Sequence, residues 1–121
     1  MTDGSGAAQF TTIYPGWYEG RAIHIHVKVL SLERSTETLE RTSQFYLNNS
    51  VNELVHTKPP YSNHGPVDMT NEEDFIYTGP SVDGLFKTNS GQYLMLKLNG
   101  NEQQGYTGTF NIGINAKWFQ L

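Results

Sequence analysis

The sequence predicts an all-β domain, an antiparallel β-sandwich with little helix, and three observations carry that expectation. Twelve glycines, five prolines and many Asn, Ser and Thr residues cut the chain into short segments. No window sustains an apolar pattern at helical spacing. Several segments instead alternate apolar and polar residues with a period of two, as half-buried strands do. At 121 residues there is room for one domain, spanning 1–121, and not for two.

Taken in order, Gln9 to Ile13 reads as a short strand. Tyr14 to Gly20 is a turn-rich connection whose Pro15, Gly16 and Gly20 set the backbone. The clearest strand runs from Ala22 to Leu30, with Ile23, Ile25, Val27 and Val29 on one face and His24, His26, Lys28 and Leu30 on the other. Ser31 to Glu40 is polar, a hairpin arm or loop, and Thr42 to Leu47 is a further strand. Asn49 to His56 suits one or two helical turns, with Ser50 as N-cap and Glu53 completing a capping box, ended by Pro59 and Pro60. Thr57 to Pro80 is a long Pro/Asn/Asp-rich excursion, and loops of that length in compact domains are more often functional or partly disordered than idle. Tyr93 to Leu98 and Tyr106 to Ile114 alternate again, with Asn99, Gly100, Asn101 and Gly105 marking a hairpin between them. The tail from Lys117 to Leu121 carries Trp118 and Phe119, which need a surface to cover them.

Charge and composition exclude several classes. Twelve acidic against eight basic residues, with no basic stripe, argue against a nucleic-acid partner. Without cysteine there is no disulfide, thiolate metal site or thiol nucleophile, so any metal must be held by nitrogen and oxygen. Apolar stretches fall well short of the roughly 18 to 20 residues of a membrane span. Met1 to Gly6 has neither the basic start nor the apolar run of a signal peptide, so as written the chain reads as cytoplasmic, and as secreted if its N-terminus is truncated.

The chemistry concentrates between Tyr18 and His26. Two histidines two residues apart on a strand share a face, so their imidazoles can converge on one ion, and Tyr18 arrives from the turn just before them. A phenol ligates at neutral pH only when a strong Lewis acid displaces its proton, which points to iron(III). The alternative is a polar strand face with no metal and a turn with an anchoring aromatic. Pro15-Gly16-Trp17-Tyr18 followed by Arg21-Ala22-Ile23-His24-Ile25-His26 resembles the intradiol ring-cleavage dioxygenases, whose motif runs Pro-Gly-x-Tyr and then Arg-x-x-His-x-His. Ser43-Gln44-Phe45-Tyr46 and the segment Asn71 to Asp74 are similar to later stretches of secreted, single-chain members.

The resemblance implies a non-haem iron(III) enzyme that opens a catechol-type diol with O2 to a muconate-type diacid. It implies Tyr18, His24 and His26 as metal ligands, with Tyr18 the axial tyrosinate that leaves when substrate binds and accepts one of its protons. Arg21 would be the cation over the substrate and Gln44 a polar residue at the pocket. A solvated strand-end cation is the other reading of Arg21. The family's fourth ligand, an upstream tyrosine, has no counterpart, because only 17 residues precede Tyr18 and Tyr14 lies inside the turn itself. The resemblance therefore predicts a chain lacking the N-terminal part of the family's domain, metal-poor and nearly inactive by itself. Two other hypotheses stand beside it: a non-catalytic β-sandwich binding module derived from such an enzyme, and a two-histidine zinc or iron(II) site, which no suitably spaced carboxylate supports.

Remaining residues carry weaker expectations. His56 and His64 are expected to face solvent, and Asp68, Glu72, Glu73 and Asp74 to form a solvated acidic loop, with a cation site as the other reading. Trp17 and Tyr14 either line the pocket or pin the turn. Asn48-Asn49-Ser50 is a glycosylation sequon, meaningful only in a secreted protein. Unpaired strand edges and exposed apolar surface predict a homo-oligomer.

Overall fold

A computed structural model describes residues 1–33, 36–79, 81–82 and 86–114. The expected tail from Lys117 to Leu121 lies outside them. The fold is antiparallel β with little helix, and its backbone is a long hairpin. β1 (His24–Glu33) pairs with β2 (Thr36–Tyr46), and the register sets His26 opposite Gln44 and His24 opposite Tyr46. Residues 31–33 and 36–40 of the predicted polar arm are thus the far ends of the two strands. Period-two alternation places Ile25, Val27 and Val29 half-buried on one face, with Lys28 and Leu30 exposed on the other. That apolar face, with the Phe45 and Phe110 rings tilted against each other at 4.4 Å, lines a groove of about 650 Å³.

Tyr46, fully buried, closes β2 onto the core: its ring meets Tyr77 edge-on at 4.9 Å, with Ala22, Leu94 and Met95 packed around the pair. Leu96 N–H donates to the Tyr46 carbonyl at 2.9 Å, so the segment leading into β5 (Lys97–Asn101) is hung from the end of β2. β5 pairs with β6 (Gly105–Thr109), a shorter hairpin than the alternation at 93–98 and 106–114 predicts; residues 90–94 form a 3₁₀ turn instead, and 110–114 are not strand. A two-residue pair, β3 (Ser81–Val82) with β4 (Phe86–Lys87), has no counterpart in the predicted elements.

Helix α1 (Asn49–His56) forms where expected, but its N-cap is Asn48, whose side chain accepts from Ser50 N–H at 2.9 Å and Val51 N–H at 3.3 Å. Ser50 is already helical and cannot cap. The expected strand at 9–13 is absent. Phe10 and Ile13 are exposed there, and among the described residues no strand pairs with them. The excursion after α1 is built from short 3₁₀ turns at 61–64 and 71–73 and one turn of helix, α2 (Phe75–Thr78). It is fastened to the end of β2, because Asn52 and Asn71, both buried, donate to the same Leu47 carbonyl at 3.1 and 2.8 Å. No helix among the described residues is long and apolar enough to cross a membrane.

Candidate functional site

The strand and turn chemistry that brings Tyr18, His24 and His26 together is local. His24 and His26 project from one face at the start of β1, their rings stacked at 4.8 Å with Nε2 atoms 2.9 Å apart. Tyr18 Oη lies 3.1 Å from His24 Nε2. His24 Nδ1 sits 2.7 Å from the Ala22 carbonyl, which can only accept, so Nδ1 carries the proton and the Nε2 lone pair faces the tyrosine and its partner histidine. Burial holds the His24 pKa below its ordinary value against the opposing pull of the Ala22 bond, and the charges of Arg21 and His26 act in the same direction as burial. A neutral imidazole with a directed lone pair is the form a metal needs.

The turn before β1 is held by contacts that settle what Tyr14 and Trp17 do. Tyr14 Oη donates to Asn52 Oδ1 at 2.5 Å, and its carbonyl accepts from Tyr61 Oη at 2.7 Å. Burial is the main cause that raises its pKa, so it stays a neutral phenol. Trp17 Nε1 donates to the Gly65 carbonyl at 3.2 Å, and its ring lies 4.2 Å from that of His64. Both aromatics pin the turn to the excursion. Gly20, at φ 83°, presents its N–H to Asp68 at 2.9 Å.

Asp74 corrects the expectation of a solvated acidic loop. It is 0% exposed, and its carboxylate accepts from Arg21 Nε at 2.9 Å, Ala22 N–H at 2.8 Å, Ile76 N–H at 2.8 Å and Tyr77 N–H at 3.3 Å. Burial alone would raise its pKa, but the bonds from Ala22, Ile76 and Arg21 outweigh it and hold it below the usual carboxylate value. The other three acids do local work: Asp68 holds Gly20, Glu72 accepts from Asn49 at 2.7 Å, and Glu73 closes a capping box with Thr70. Sequence reasoning missed Asp74 because a run of acids looks the same whether it is solvated or not. The signal available was Asp74 as an N-cap ahead of the apolar Phe75-Ile76-Tyr77.

Arg21 is likewise no solvated strand-end cation. Besides Asp74, its Nη2 donates to Gln44 Oε1 at 3.1 Å and its Nη1 reaches Tyr18 Oη at 3.5 Å. Gln44 Nε2 in turn donates to Tyr46 Oη, whose pKa burial, then the Asp74 charge, pushes up. One connected chain of hydrogen bonds thus runs from buried Asp74 through Arg21 to the tyrosine oxygen and to the strand residue opposite His26. His56 corrects another expectation: it is 4% exposed, its Nδ1 lies 2.8 Å from the Asn52 carbonyl, and its ring sits against Tyr14 and Tyr61. His64 is exposed, as expected.

No group of three or more His, Cys, Asp or Glu side chains gathers among the described residues, so a metal here depends on the phenol. The donor atoms fit that use. With metal–imidazole bonds of about 2.0–2.1 Å, two nitrogens at right angles around one ion lie about 3 Å apart, close to the 2.9 Å between the two Nε2 atoms.

No family model matches the sequence, and no curated protein does. Solved structures do match. The crystal structure of a dioxygenase superposes with a TM-score of 0.70 at 25% identity, over 94% of this chain and 50% of that one. The chain has an intradiol-dioxygenase-like fold. An intradiol ring-cleavage dioxygenase from Tetranychus urticae shares that fold at a TM-score of 0.63 and 23% identity, over 85% of this chain and 44% of its own. The chain therefore spans about half the length of the solved structures it matches.

Proposed function

We propose that the protein performs intradiol cleavage of a catechol-type diol with O2, at a non-haem iron(III) site held by Tyr18, His24 and His26. The observation that supports this reading is that His24 Nε2 lies within 3.1 Å of both the Tyr18 phenol oxygen and His26 Nε2. Bound ferric iron would supply the Lewis acid that holds the diol as a dianion and makes its ring reactive toward O2. The protein's own groups then divide the remaining work.

Tyr18 is half-exposed, at 52%, so its oxygen can turn aside when a diol arrives and accept one of the two protons the diol must lose. Arg21 lies against that oxygen and steadies the negative charge that develops there, and Asp74 keeps the guanidinium from swinging into solvent. Gln44 accepts from Arg21 and donates to Tyr46, holding a polar wall opposite His26. The neutral, buried His24 is kept in one tautomer by the Ala22 carbonyl.

The test is a visible absorption spectrum of the purified chain offered iron(III), taken before and after catechol is added without oxygen. A tyrosinate-to-iron band that shifts with catechol, and that disappears in Tyr18→Phe, is the expected result. A colourless, metal-free protein would overturn the reading and leave the non-catalytic binding module in its place.

A further inference from the structure

Beside the His26 ring lies a second cavity, of about 330 Å³, which shares Thr42, Ser43 and Leu94 with the larger groove. That volume accommodates a substituted benzene ring. Its polar side is made by His26, Gln44 and Tyr46, the residues already tied to Tyr18 and Arg21. Across from them stand Ile76 from α2 and Leu94 from the 3₁₀ turn, both apolar. Ser90, Thr42 and Ser43 complete the lining with hydroxyls. Among the described residues, no Lys, Arg, Asp or Glu lines this cavity.

Among the described side chains, the cations nearby are committed elsewhere. Arg21 spends Nε on Asp74, Nη2 on Gln44 and Nη1 on Tyr18. Lys28 pairs with Glu40 at 2.5 Å, and Arg41 lines the other groove. A carboxylate on the ring would lose part of its water in this cavity without gaining a countercharge, whereas a methyl group would gain contact with Ile76 and Leu94. We propose that this cavity receives the diol's ring and that Ile76, Leu94 and Ser90 make it selective for uncharged and short-alkyl catechols over carboxylate-bearing ones. The inference rests on the intradiol reading of the same site.

Its test is equilibrium binding to the iron(III)-loaded full chain without oxygen, followed through the tyrosinate band, with catechol, 4-methylcatechol and 3,4-dihydroxybenzoate as probes. Catechol and 4-methylcatechol are expected to bind about tenfold or more tighter than the benzoate, the loss expected when a charged group is desolvated without a partner. Ile76→Lys and, separately, Ser90→Lys place an ammonium at exposed positions on the lining. Each is expected to shift the ratio of benzoate to catechol affinity about tenfold toward the benzoate. The parent binding benzoate as tightly as catechol, or both lysine variants still binding catechol with no gain for benzoate, overturns the selectivity inference and leaves the iron reading standing. If no diol moves the band in the parent, both fall together.

Discussion

Asp74→Ala should be the most damaging single substitution in the excursion. It removes the acceptor of four donors, two from the turn into β1 and two from the first turn of α2. Arg21, whose side chain is only 13% exposed, would keep its charge with no partner carboxylate. Removing one partner of a buried pair costs about 3–5 kcal/mol, and the orphaned Ala22 and Tyr77 N–H groups belong to the same loss, whereas water can reach the Ile76 N–H because Ile76 is exposed. The midpoint of thermal unfolding should fall on the order of 10 °C. Asp74→Asn keeps an oxygen for the α2 amides and loses the charge, so it should cost less, about 1.5–3 kcal/mol. Urea unfolding of the three proteins at pH 7 gives these differences directly as shifts in midpoint at unchanged slope. The native pKa of Asp74 is depressed, so its contribution is fully present above the unfolded value of about 3.9 and is lost as pH falls through the native one. The parent should therefore lose more stability than Asp74→Asn does as pH falls below about 4, narrowing the gap between them. An alanine variant within about 0.5 kcal/mol of the parent would refute the account of Asp74 as the group that ties the excursion to the site.

Two further stability changes follow from the same structure. Gly91→Ala would place a Cβ 2.4 Å from Tyr77 Cδ2 and 2.7 Å from Tyr77 Cα, so the Tyr46–Tyr77 contact must shift; a loss of about 1–3 kcal/mol by urea unfolding is expected, and no loss would show that the segment 90–94 moves freely. Asn48→Ala deletes the acceptor for two amides at the start of α1 and should cost about 1 kcal/mol, while Ser50→Ala should change stability by less than about 0.5 kcal/mol; the reverse order would restore Ser50 as the cap.

Where the sequence was legible, the determining interactions were close in the chain. Alternation along 22–30 needs only the two-residue period of a strand, and it set both the apolar face and the shared face of His24 and His26. The turn from Tyr14 to Gly20 delivers Tyr18 to the same place within six residues of His24. The span of α1 was likewise fixed by local signals, although two cap-forming side chains, Asn48 and Ser50, lay within reach of the start and only the backbone geometry chose between them. The 9–13 segment failed because strand propensity needs an adjacent strand to pair with, and pairing is not a local property.

By itself, then, the sequence determined the hairpin strand that presents two imidazoles, the turn that brings a phenol to them, and the β class of the fold. Only the tertiary structure decided that Asp74, 53 residues from Arg21, is a buried carboxylate holding that cation, that His56 is interior, and that Tyr14 and Trp17 pin the turn. A charge or a ring in the sequence has no environment until distant segments pack around it, and burial, which sets whether an acid is solvated or fully hydrogen-bonded, is a property of that packing alone.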